Sequence, residues 1–177
     1  MRQTPQNVSP MSNEGRNSYV IRHLTNSLLE LLAVKPMGAV SISELCSHAG
    51  VGRASFYRNF DSKEGILKAY VRQIFRACID ACEKSPDRSL HEMIRILFLH
   101  YEEYRDFYSL LNRRNLVGLL KDVIMELCGP KPEYFAPEAY AAAFAAYSLY
   151  GWSEVWFQRG MLESPEEMAN LFKNQGL

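Results

Sequence analysis

The sequence lacks the marks of several functional classes. Cysteine is scarce, with four among 177 residues. Cys46, Cys78, Cys82 and Cys128 sit in apolar, helix-like stretches. The first fifteen residues are polar and carry no apolar secretory segment, so the thiols read as reduced core residues of a cytoplasmic protein. Cys78 and Cys82 would share a helix face, which leaves a thiol switch or a metal pair as the alternative reading. His23, His48, His91 and His100 are isolated, and none lies in a zinc, kinase or nucleophile-elbow motif. No enzyme activity, metal or cofactor is expected. Long hydrophobic runs are missing too. The longest uncharged stretch, 139–153, lies between Glu138 and Glu154 and contains three Tyr, two Ser, a Gly and a Trp. A membrane-crossing helix needs roughly 20 mainly apolar residues, so a buried helix is expected there and no membrane partner. There is no β-hairpin signal, internal repeat or glycine-rich phosphate loop.

Net charge is also absent, at +0, which removes simple bulk attraction to nucleic acid. Its distribution is uneven. Residues 1–75 hold nine Lys/Arg against five Asp/Glu, and residues 76–177 hold eleven against fifteen. An anionic polymer would meet the front of such a chain rather than the back.

What is present is helical periodicity. Apolar residues make up 47% and aromatics 12%, enough to fill a core. Residues 1–15 are rich in Gln, Asn, Ser and Pro and read as a disordered tail. Tyr19, Leu24, Leu28, Leu31 and Leu32 then define an amphipathic helix from about Asn17 to Val34, stopped by Pro36 and Gly38. Ser41 and Glu44 form a capping box for a short helix that Gly50 ends. A second short helix covers about 52–60. Asp61 and Glu64 read as the capping box of a long helix reaching about Glu83. Further helices are expected at about 89–104, 106–113, 114–128, 137–160 and 164–174. Gly129-Pro130-Lys131-Pro132 reads as a rigid loop. Ser164, Pro165 and two acids begin the last helix. The fold class is therefore all-α, with a helix-turn-helix domain over 16–62 and a larger helical domain over 63–177.

Function is concentrated in Ser41–Leu67, SISELCSHAGVGRASFYRNFDSKEGIL. A capped helix, a glycine turn and a second short helix have the layout of a DNA-reading helix-turn-helix. With successive residues turned by about 100°, Phe56 and Phe60 share the buried side of the second helix. Arg58 lies almost opposite, flanked by Ala54 and Ser55, with Arg53 and Tyr57 at one edge and Asn59 at the other. Such a face suits a major groove. Arginine can donate twice to guanine, serine can bond a base or a phosphate, and alanine can meet a thymine methyl. Phosphates would be held from the rim by Ser41, Ser43, Tyr57 and Lys63. Lys63 stands in a helix's first turn, where the dipole disfavours a cation, and a nearby anion would explain it. The competing reading is a plain three-helix packing unit with a solvated charged face.

The segment AGVGRASFYRNFDSKEGIL resembles the signature of the TetR/AcrR family of bacterial repressors. Ala49, Gly50, Val51, Arg53, Ser55, Tyr57, Phe60, Ser62, Lys63, Glu64 and Leu67 match in register, and the resemblance is strong over about 17–72. It implies phosphate contacts from Tyr57 and Lys63, and places Arg53 and Ser55 against the groove. Two positions depart. Gly52 replaces the usual Ser or Thr, so a side-chain cap is missing. Asn59 stands where His is common.

About 100 residues remain, more than a DNA anchor needs. In the 137–160 helix, Ala141, Ala142, Ala143, Ala145, Ala146, Ser148 and Gly151 permit close helix approach, while Phe144, Tyr147, Trp152, Trp156 and Phe157 offer contact area. Core, dimer face and ligand pocket all fit. The resemblance implies a homodimer through the last two long helices, reading a palindromic double-stranded DNA operator. It also implies release by a small apolar or aromatic effector, with Tyr101, Tyr104, Phe107, Tyr108, Tyr147, Tyr150 and Trp152 as candidate lining. The same aromatics could simply fill a core. An alternative is an activator or co-regulator of this fold that answers to a protein partner instead.

Overall fold

A computed structural model of the chain describes residues 13–174. The described residues are helical, with no strand among them. The chain divides into two compact units, Met1–Leu67 and Lys68–Leu177. Residues 1–12 of the expected tail lie outside the described residues, and 13–15 are already helical.

The first unit holds α1 (Asn13–Val34), α2 (Ile42–His48), α3 (Arg53–Asn59) and the first turn of α4 (Lys63–Lys84). Leu24, Leu28 and Leu32 on α1 are fully covered, as are Leu45, Phe56, Ile66 and Leu67 from the other helices. Burial of these side chains, about 1.5–3 kcal/mol each, orders helices too short to persist alone. The helix-stopping Pro36 and Gly38 belong to a feature the sequence did not announce, Pro36 leading into it and Gly38 at its centre. Met37–Ala39 form one turn of 3-10 helix that tucks the Met37 side chain inward. Ser41 caps α2 by accepting from the Glu44 amide at 3.1 Å. Gly50 adopts φ +65°, a left-handed backbone that a side chain would strain. This lets the Val51 amide reach back to the Cys46 carbonyl at 3.0 Å. The expected Asp61–Glu64 box is displaced by one residue. Ser62 Oγ accepts from the Gly65 amide at 3.1 Å. Burial of Phe60 in extended backbone carries the chain past Asp61 before α4 begins.

The second unit holds the rest of α4, then α5 (Leu90–Glu103), α6 (Arg105–Arg113), α7 (Gly118–Cys128), α8 (Ala136–Gln158) and α9 (Pro165–Asn174). α5 packs on α9, and α7 on α8. α7 starts later than its periodicity predicts. Asn115 takes φ 57°, which breaks the helix after α6 and turns the chain. Lys68–Asp122 and Arg72–Glu126 ion pairs fasten α4 to α7. Side chains of α6 close the far end of α8. Asn112 donates to the Phe157 carbonyl at 2.9 Å, and Arg105 to the Met161 carbonyl at 3.0 Å. The expected start of α9 is present as a reciprocal box. The Ser164 amide donates to Glu167 at 2.8 Å, and the Glu167 amide donates to Ser164 Oγ at 3.3 Å.

Burial divides the cysteines in a way that composition did not. All four are free, with Cys46 and Cys78 in the core, Cys82 half-covered and Cys128 exposed. Cys128 ends α7, where the core no longer shields it. No described helix is long and apolar enough to cross a membrane.

Candidate nucleic-acid interface

α3 is anchored by one face and presented by the other. Phe56 is wholly buried and Phe60 nearly so, their ring centroids 6.3 Å apart. That fixes the rotation of a seven-residue helix. Arg53, Ala54, Tyr57 and Arg58 consequently face outward, and Ser55 is half-covered. Tyr57 is 59% exposed, its ring set edge-on to Phe56 at 5.2 Å. An exposed tyrosine braced at its base presents a hydroxyl without losing much side-chain freedom on contact.

Local hydrogen bonds organise the rest. Gly52 caps α3 through its backbone alone, its carbonyl accepting from the Ser55 amide at 2.9 Å. The departure at Gly52 thus removes a side-chain cap without disturbing the helix start. Asn59 Nδ2 donates to the Ser55 carbonyl at 2.8 Å, one turn back. This residue is tied to its own helix. Arg53 Nη1 donates to Ser43 Oγ at 3.4 Å. Ser43 lies in the first turn of α2, so this contact bridges the two helices. Ser41 is exposed beside it, its hydroxyl already accepting one bond from the cap.

In the free chain Lys63 is engaged by backbone within its own unit. Its ammonium donates to the Met37 carbonyl at 2.7 Å and to the Val40 carbonyl. Sequence reasoning missed this because the acceptors are backbone atoms of the unannounced turn. It also missed the Lys35–Glu44 ion pair that ties the end of α1 to α2. That pairing holds the Glu44 carboxyl below its usual pKa.

The seven aromatics proposed as a lining are dispersed by the structure. Tyr101, Phe107 and Tyr108 are buried among rings. Tyr101 lies 4.8 Å from Tyr108, and Tyr108 stacks on Phe157 at 5.2 Å. Their hydroxyls are engaged inside the core. Ser153 Oγ donates to the Tyr101 oxygen at 3.0 Å, and Tyr108 faces His100 Nε2 at 3.1 Å. Burial drives both phenol pKa values up and the His100 pKa down to about 4. Tyr104 is half-buried beside His100 at 5.0 Å. Tyr150 donates to Glu154 at 2.8 Å; burial and then this carboxylate push its pKa up to about 12. Tyr147 is 52% exposed under the Lys121 ammonium. Trp152 packs on Phe172 at 4.8 Å. Trp152 also borders an open hollow of about 560 Å³ between α8 and α9, with Gly151, Val155, Trp156, Met168 and Leu171.

Comparison with known proteins agrees with this arrangement. Residues 24–70 match the family described as "Bacterial regulatory proteins, tetR family", and residues 88–175 match "Transcriptional regulator C-terminal region". Over 97 residues the chain is 27% identical to "Uncharacterized HTH-type transcriptional regulator YerO" of Bacillus subtilis (strain 168). That match covers 50% of this chain and 34% of the relative, so it spans about a third of the relative's length. Among solved structures, Lin0861 from Listeria innocua is similar with a TM-score of 0.75 at 14% identity, covering 98% of this chain and 94% of that one. A TetR transcriptional regulator from Streptococcus agalactiae 2603V gives 0.61 at 17% identity, covering 94% and 98%. At these identities the likeness is one of fold.

Proposed function

Since the chain belongs to the tetR family of bacterial regulatory proteins, we propose that it is a homodimeric, sequence-specific DNA-binding repressor that a small molecule releases. The observation carrying the DNA-reading part is the outer face of α3. Two arginines, a braced tyrosine and two small residues project from a helix whose phenylalanines are buried behind them. Arg58 and Arg53 would read base edges, with Ala54 and Ser55 allowing close approach. Tyr57, Ser41 and Ser43 would hold phosphate oxygens.

Dimerisation is supported by α8. Tyr140, Phe144, Tyr147 and Val155 are 78%, 59%, 52% and 54% exposed. With Gly151 they follow at intervals of four, three, four and four, which keeps them within about 80° of one another around the helix. Monomers rarely leave so continuous an apolar row in water. The row is also self-complementary. In an antiparallel pair centred between residues 147 and 148, Phe144 meets the partner's Gly151, and Tyr140 meets the partner's Val155. A Cβ added at Gly151 would touch nothing within 4 Å, so there is room for a ring. Two reading helices about 34–36 Å apart would then match successive turns of a palindrome.

For the effector, the supporting feature is the aromatic core around Tyr101, Tyr104, Phe107 and Tyr108, which carries hydroxyls inside apolar walls. A ligand that parts these rings would shift the population toward a state unsuited to the operator. Of the other three candidates, Tyr147 faces outward, Tyr150 bonds Glu154 on its own helix and Trp152 packs on Phe172 of α9.

The test begins with selection of duplexes from a random-sequence pool. Arg58→Ala should relax the preference at particular base pairs by about 1–3 kcal/mol. Tyr57→Phe should weaken binding to all sequences alike. If neither variant alters affinity, α3 does not read DNA. A small-molecule thermal-shift screen that finds no stabiliser, alongside a co-purifying protein that changes DNA affinity, would favour the partner-dependent activator.

A further inference from the structure

The hollow between α8 and α9 has apolar walls and a polar end. Trp152, Val155 and Trp156 line it from α8 and Leu171 from α9, with Arg159 and Glu163 where α8 finishes. At about 560 Å³ it has room for an aromatic side chain and part of the helix that carries it. The Glu163 carboxylate is held in place there. The Trp156 indole donates to the Glu163 carbonyl at 2.9 Å, and Arg159 Nε donates to Glu163 Oε1 at 2.7 Å. This arginine holds the carboxyl below its usual pKa, so it is ionised and can only accept. Its second oxygen, Oε2, is enclosed and has no hydrogen-bond partner among the described residues. Covering an acceptor without supplying a donor is unfavourable. Arg159 already balances the carboxylate, and Arg105 lies 5.9 Å from the Trp156 ring. A third cation would be repelled, so a neutral donor fits this oxygen best.

We infer that the donor is the hydroxyl of Tyr140 of the partner subunit, whose ring enters the hollow when two α8 helices pair. The inference rests on the dimer reading above. In the antiparallel pairing described there, the partner's Tyr140 lies opposite Val155, at the edge of the hollow. Side chains on a helix lean toward that helix's own N-terminus. For an antiparallel neighbour this direction runs from Val155 toward Arg159 and Glu163. The same pairing sets the partner's Ala143 opposite Trp152 and the partner's Ala139 opposite Trp156. Such small residues let the helices close over the indoles. Tyr140 is 78% exposed in the single chain, free to serve this way. Phe144 is exposed too but carries no donor, and Tyr147 lies beside the two-fold axis, far from Glu163. The terminal torsion of a glutamate is soft, so Oε2 can turn outward to meet the hydroxyl. By symmetry the contact forms twice in each dimer.

The test uses the full chain with Tyr140→Phe, Glu163→Ala and the double variant. Dimer dissociation constants are read by fluorescence-detected sedimentation from nanomolar to micromolar concentration. Tyr140→Phe keeps the ring and removes only the hydroxyl. A hydrogen bond to a charged acceptor is worth at least about tenfold, and two per dimer should raise the dissociation constant about a hundredfold. In the Glu163→Ala background the same change should matter by less than about fivefold, because its acceptor is gone. Fully additive losses would overturn the inference, as would equal dissociation constants for the parent and Tyr140→Phe. Native mass spectrometry that finds a small molecule on the parent dimer, absent from Glu163→Ala, would give the hollow to a ligand and overturn it too. A parent that sediments only as monomer would sink the dimer reading itself. A dimeric parent indifferent to Tyr140→Phe would strike this inference alone.

Discussion

Acidification should destabilise the second unit through His100. The side chain is 5% exposed and sits among Phe75, Tyr101, Tyr104 and Tyr108. Among the described residues its hydrogen-bond partner is the Tyr108 hydroxyl, at 3.1 Å. Burial depresses its pKa from 6.5 to about 4. The unfolded chain therefore takes up a proton before the folded one does as pH falls. Above pH 6.5 both states are neutral at this residue and no stability is lost. Between 6.5 and 4 the unfolded state gains protonation free energy that the folded state lacks. The full penalty is about 3 kcal/mol at 1.36 kcal/mol per pKa unit, of which about 2 kcal/mol has accrued by pH 5. Urea unfolding followed by fluorescence of Trp152 and Trp156 reads this unit directly. It should be run at pH 7.5 and 5.0 at one protein concentration, because a dimer's stability depends on it. His100→Gln supplies the control for the carboxylates, which begin to titrate near the lower pH. The parent should lose about 2 kcal/mol more than the variant over this range. Equal losses in the two proteins would refute the argument that burial keeps this imidazole neutral.

Other expectations follow from single contacts. Phe144→Glu places a charge in the exposed row of α8, and sedimentation at micromolar concentration should then find monomer where the parent sediments as dimer. A parent that is already monomeric would remove the dimer proposal. Gly151→Leu should act similarly by filling the notch opposite the partner's Phe144. Gly129→Ala would bring a Cβ to 2.3 Å from the Met125 carbonyl oxygen, a clash with backbone rather than with a movable side chain. It should cost about 1–3 kcal/mol, and thermal unfolding with no downward shift in Tm would show that the end of α7 can give way.

The sequence by itself determined the helices and the outward face of α3. Periodicity, capping serines and Gly50 are local signals, and the ring positions of Phe56 and Phe60 settle which residues of a short helix can be exposed. It also marked the apolar, small-residue character of α8. The shift of the α4 cap to Ser62, the late start of α7 at Asn115 and the 3-10 turn at Met37 depended on which neighbours each segment had to reach. Those were decided by packing. The partners of Lys63 and the buried state of His100 depended on residues 26 and 8 positions away in the chain. No window of sequence contains such information, because a lysine beside distant backbone carbonyls and a lysine in solvent are spelled alike. Only the tertiary structure decides which aromatics fill a core and which face solvent, since both demand the same side chains and differ only in what lies on the other side.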